Sequence, residues 1–235
     1  MTEPSGGSNK PKRPVVVPAV ALVAVTALGI TALLGGFAEV PDPAPPQYGE
    51  GAVLDQGQFS TQFVTAKLAT QKAKADWDTD KRFVELTFKV TNQGKATAMV
   101  GLPPSKPEGS ISATSFAGSL VKVTPQVQAK GVPTIYSLSK NAQSGQLQPG
   151  VPTTVVLRYD LDGAAKPPQK VTLDVAGFEY EPGFNDPSFH WSLISEETDS
   201  EGSGSGVPGS GVPGNGRRPV VQAQVTLPVH GAEAT

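Results

Sequence analysis

Asp76-Trp77-Asp78-Thr79-Asp80 sets three carboxylates at alternate positions, the opening spacing of a calcium-binding loop. Such a loop also needs a glycine at its sixth position, for the sharp turn, and a bidentate glutamate at its twelfth. Here those positions hold Lys81 and Thr87, and Lys81 and Arg82 neutralise the acids. The triplet therefore predicts a solvated turn, and Asp76, Asp78 and Asp80 are not assigned as metal ligands. Two histidines, His190 and His230, are too few for a multi-histidine metal site. His190 lies in the alternating segment Ser188-Phe-His-Trp191 and is expected to pack beside Trp191. With no cysteine there is no thiolate nucleophile, disulfide or cysteine-based metal site. No GxSxG, HExxH, phosphate-loop or dinucleotide fingerprint occurs. No catalytic residue, cofactor site or metal site is expected, and the chain reads as a non-enzyme.

The strongest candidate for recognition is the aromatic segment Phe178–Trp191, with five of the 15 aromatic residues in 14 positions. Rigid amphipathic rings around a Pro182-Gly183 turn suit a binding surface, but an ordinary hairpin corner with the rings in the core would use them too and is the favoured reading. Tyr180, Phe184, Phe189 and Trp191 are the candidate contact residues.

The elements that must carry this segment follow from composition. Residues 14–38 run without a charge, behind Lys10, Lys12 and Arg13 and ahead of Glu39 and Asp42. About 20 apolar residues suffice to cross a bilayer, and basic residues favour the cytoplasmic side. A single-pass helix is expected, with residues 1–13 inside and the bulk of the chain outside. The alternative is a cleaved signal peptide, since Gly36-Phe37-Ala38 offers small residues at both inspected positions. The apolar run is longer than such peptides use. Ala27, Thr31 and Gly35 make a small-residue series of the kind that lets helices approach, although a helix rich in Ala and Gly produces such spacings by chance.

Residues 39–51 hold four prolines and read as an extended stalk. Residues 52–195 alternate apolar and polar side chains in short runs. The clearest is Arg82–Asn92, with Val84, Leu86, Phe88 and Val90 on one face; Val155–Leu161 and Val171–Val175 repeat it. Weaker strands are expected near Gln58–Leu68, Ala96–Leu102, Leu120–Thr124, Thr134–Leu138 and Phe189–Ile194. Lys67–Lys74 suits either one helical turn or an extension of the preceding strand. Turn signals between short strands predict an all-β, antiparallel sandwich. Residues 196–218 read as a Gly/Ser/Pro linker with a tandem SGVPG. Residues 219–235 hold one more strand, Pro219–His230, which could join a sandwich edge, pair with a partner, or remain unpaired. Beyond residue 38, 16 Lys and Arg stand against 20 Asp and Glu, an acidic balance unsuited to nucleic acid.

RFVELTFKVTNQGKATA at Arg82–Ala98 and LQPGVPTTVVLRYDL at Leu147–Leu161 resemble elements of the DUF4352-type, immunoglobulin-like extracellular domains of Gram-positive bacteria. With the apolar segment, the chain resembles actinobacterial single-pass membrane proteins. The resemblance covers about 140 residues, rests on motifs that many β-sandwiches share, and implies an immunoglobulin-like fold and an envelope location. It supplies no catalytic residues, and the paired cysteines of some members are absent. The expected role is a membrane-anchored extracellular binding or accessory module, in contact with the lipid bilayer and with an envelope protein or cell-wall ligand. The alternative is a structural subunit of an envelope secretion or transport complex, held through the helix or the 219–230 strand.

Overall fold

Where apolar and polar side chains alternate, the chain forms strands. The computed structural model describes residues 43–75, 77–104, 114–139, 142–183, 188–197 and 217–231. The first strands are β1 (Gln47–Tyr48), β2 (Val53–Asp55), β3 (Phe59–Gln71), β4 (Lys81–Asn92) and β5 (Ala98–Met99). A 3₁₀ turn at Phe116–Ser119 leads into β6 (Leu120–Thr124), followed by β7 (Thr134–Ser139), β8 (Ala142–Ser144) and β9 (Gln146–Leu147). Then come β10 (Thr153–Asp160), β11 (Lys170–Ala176), β12 (Phe178–Pro182) and β13 (Phe189–Leu193). The last are β14 (Ser195–Glu197), β15 (Arg217–Pro219) and β16 (Val221–His230).

The result is an all-β, mostly antiparallel sandwich. One layer runs β3-β4-β10-β7-β8, with β2 on the outer side of β3; the other runs β6-β11-β16, with β1 added parallel to β16. At its end β16 also pairs in parallel with β3, Val229 with Ala66 and His230 with Lys67, so the layers are stitched along one side. Between them lies one apolar cluster. Val84, Leu86, Phe88 and Val90 of β4 meet Val155, Leu157 and Tyr159 of β10, while Val171, Leu173 and Val175 of β11 come from the opposite layer. Phe63 and Phe88, and Phe59 and Phe116, meet edge to face at 5.6 and 5.8 Å between centroids, the arrangement the ring quadrupoles favour.

The long strand β3 changes face midway. Phe59, Thr61 and Phe63 are buried, then the register shifts between Phe63 and Thr65, after which Ala66 is buried. An extra residue at Val64 interrupts the two-residue period, as a β-bulge does. Strand geometry continues to Gln71, so no helical turn forms at the start of Lys67–Lys74. On the outer face Glu85 is nearly buried, yet Arg158 Nη2 lies 2.5 Å and Lys67 Nζ 3.5 Å from its carboxylate. The Arg158 guanidinium also lies 4.6 Å from the Phe83 ring centroid.

The fold takes in more chain than residues 52–195. Gln47 and Tyr48, at the end of the Pro-rich stretch, form β1 against Gln224 and Val225. The C-terminal strand is neither an edge nor a free tail. It lies between β11 and β1, with Ala223, Val225, Leu227 and Val229 buried in the core. Four buried apolar side chains and two ladders of hydrogen bonds account for that position. Both ends of the presumed linker pair as well, Glu196 with Arg218 and Glu197 with Arg217, while 198–216 lies outside the described residues. The apolar run 14–38 also lies outside them; among the described residues no helix is long and apolar enough to cross a membrane.

Truncating Leu227, a fully buried β16 side chain, should be severe if β16 completes the core. Leu227→Ala is expected to lower stability by about 2–5 kcal/mol in urea denaturation. Lys89→Ala, on the exposed face of β4, should stay within about 0.5 kcal/mol. Equal midpoints for the two variants would contradict the position of β16.

Candidate functional site

Beyond the end of β11 the chain leaves the sandwich at Gly177 and forms a separate two-stranded hairpin, β12–β13. Tyr180 pairs with Trp191, Phe178 with Leu193 and Pro182 with Phe189. Side chains directly opposite in an antiparallel pair share a face, so these six residues form one apolar side. Glu179, Glu181, His190 and Ser192 take the other.

The hairpin is rooted in the core and bare toward its tip. Phe178 is buried against Phe59, with ring centroids 5.3 Å apart. Its amide donates to the Gln56 carbonyl at 2.7 Å. The Gln56 side chain is itself buried; it donates to Ser119 Oγ and the Ala176 carbonyl and accepts from Thr61 Oγ1. This network ties the β2–β3 connection to the 3₁₀ turn, β3 and the end of β11 beneath the hairpin, with the polar atoms of the Gln56 side chain paired. Trp191, half-buried, lies over two glycines. A Cβ on Gly57 would come within 2.3 Å of the Phe178 carbonyl and 3.3 Å of the indole, and one on Gly94 within 3.2 Å of indole Nε1. Gly57 also has φ +83°, a conformation that favours glycine.

Tyr180 and Phe189 are 56% and 55% exposed. The Tyr180 ring is 5.1 Å from Trp191 and 5.5 Å from Phe189, so the three rings form a continuous row. Phe184, the fourth candidate, lies outside the described residues. The aromatic segment is therefore both core and surface, divided between Phe178 and Tyr180. Nothing in its sequence marks that division; it depends on Phe178 meeting Phe59 across the fold.

The other sequence candidates stand apart from this row. His190 is exposed on the face opposite Trp191 and does not pack beside it, since neighbouring strand residues alternate sides. His230 Nε2 lies 3.0 Å from Glu50, whose carboxyl is held below its usual range by hydrogen bonds from Thr65 and then His230. Asp80 takes Lys72 Nζ at 2.6 Å and the Ala73 amide at 2.9 Å, which lowers its pKa and ties off the β3–β4 turn. Asp78 accepts from the Thr79 amide, and Asp76 lies outside the described residues. Among the described residues no three His, Asp or Glu side chains gather as metal ligands would.

A concavity not foreseen from the sequence runs along β6, whose one described strand neighbour is β11. Its volume is about 510 Å³, and Leu120, Val123, Val127, Val132 and Tyr159 line it. Burial pushes the Tyr159 hydroxyl up to about 12. The unfolded chain ionises first as pH rises, so this contribution is whole below about pH 10 and is lost between about 10 and 12.

Two outcomes check this division of roles. Phe178→Ala should cost about 3–5 kcal/mol, while Tyr180→Ser and Phe189→Ser should each cost less than about 1 kcal/mol in the same denaturation series. Of the four tyrosines, Tyr159 should ionise last by ultraviolet titration, and Tyr159→Phe should remove roughly 3 kcal/mol of alkaline destabilisation. A Tyr159 that titrates near 10 would mean that the ring is not buried. No protein-family model, curated protein or solved structure matches this chain.

Proposed function

We propose that this protein is a membrane-anchored module of the bacterial cell envelope, with its N-terminus inside and its sandwich outside, acting by contact and not by catalysis. The observation that carries this reading is the row Trp191, Tyr180, Phe189: three rings in contact at tilted angles, more than half exposed at Tyr180 and Phe189, on a hairpin rooted in the core. Rigid aromatic side chains offer large contact area at low conformational cost.

An immunoglobulin-like fold is part of the proposal. Its support is the division of strands, with β3, β4, β10 and β7 in one layer and β6, β11 and β16 in the other. That is the A-B-E-D and C-F-G order of an immunoglobulin-like sandwich. The aromatic hairpin then belongs to the F-to-G connection. Gly94, under Trp191, belongs to the B-to-C connection, the partner loop at the same end of such folds. The assembly alternative loses one of its two routes, because the 219–230 strand is committed within its own sheet.

Because the chain has no cysteine, topology can be read with one introduced thiol. Val132→Cys, at a position 76% exposed, should react with a membrane-impermeant maleimide on intact cells, and the protein should sediment with membranes after alkaline carbonate. Reaction only after lysis would overturn the reading.

A further inference from the structure

The end of the sandwich that bears the aromatic row is also the end at which the chain enters. β1 runs parallel to β16, with Gln47 opposite Gln224 and Tyr48 opposite Val225, and the Gln224 amide donates to the Pro46 carbonyl at 2.9 Å. In a parallel pair the chain before Gln47 must lie toward the start of β16. That start is where the hairpin is fixed: the Ile194 amide donates to the Gly177 carbonyl and the Val220 amide to the Ile194 carbonyl. Between the last residue of the apolar run, Ala38, and Pro45 stand six residues, 39–44. Fully extended, they reach roughly 20 Å.

We infer that the row formed by Trp191, Tyr180 and Phe189 docks on the headgroup and upper acyl region of the bilayer in which the chain is anchored. The inference rests on the anchored reading above and names the occupant of that same surface. A tether of about 20 Å keeps these rings beside the lipid at high effective concentration. Trp and Tyr are the side chains that favour this boundary, with an apolar body and a polar handle.

The molecule carries its own control. It has two tryptophans. Trp191 lies in the row, whereas Trp77 is 88% exposed in the β3–β4 turn at the opposite end. The 13 residues of β3 separate those ends, roughly 40 Å at strand rise. The full chain would be reconstituted into vesicles of phosphatidylcholine with or without brominated acyl chains. In Trp77→Phe, which leaves Trp191 as the reporter, bromination should lower emission about twofold, since interfacial rings lie within contact range of upper acyl groups. The additional emission of the unsubstituted protein, which is that of Trp77, should not change. Adding Tyr180→Ser and Phe189→Ser to Trp77→Phe should abolish the quenching while the chain still floats with the vesicles. A chain that floats with Trp191 unquenched, or with Trp77 quenched in its place, overturns the docking and leaves the anchored reading standing. A chain that does not float overturns the anchored reading and the docking together.

Discussion

Hydrogen bonding on both sides of the last strand holds this structure together. β16 completes a sheet with β11 on one side and β1 on the other, and its end reaches across to β3 in the opposite layer. Without it β11 would have one partner, β6. Among the described residues β1 would then have no strand to pair with, and the faces of Val171, Leu173 and Val175 would lose their neighbours Val225 and Leu227. Paired backbone and buried apolar area act in the same place here, so neither can be removed without the other. The direction of β1 follows from the same strand.

The central strands of both layers were legible from period alone. Arg82–Asn92, Val155–Leu161 and Val171–Val175 alternate cleanly and form β4, β10 and β11. The turn after β4 was legible too, since Asn92 Oδ1 accepts from the Gly94 amide while its Nδ2 donates to two carbonyls. Other elements were obscured for definable reasons. The bulge at Val64 moves the buried positions of β3 from odd to even numbers, which blurs any fixed-period pattern. β1 has two residues behind prolines, and it exists because an edge of β16 was open to it, not because of its own propensity. The role of β16 could not be read locally either, because an isolated strand has no stability until its partners are known.

The candidate site divides along the same lines. Its aromatic richness was visible in the sequence, but the separation of Phe178 from Tyr180 and Phe189 comes from long-range packing, since Phe178 meets Phe59 while Tyr180 and Phe189 stay more than half exposed. Gly57 and Gly94, whose lack of a side chain leaves room for the Trp191 indole, are distant in sequence from the segment they support. His190 was assigned by proximity along the chain, and strand alternation sends it to the other face. Local composition thus marked the segment, and tertiary contacts decided which of its rings are exposed.

The parallel pairing of Gln47 with Gln224 joins residues 177 positions apart. A contact of that sequence separation cannot form while the ribosome is still short of its distal member. The second layer therefore lacks its middle strand until almost the whole domain has been made, and a prematurely ended chain would present uncovered β11 and an unpaired amino-terminal segment. Such products would be open to proteases, whereas the finished chain closes its core in one late step. The order of the strands thus delays closure of the core until β16 has been made.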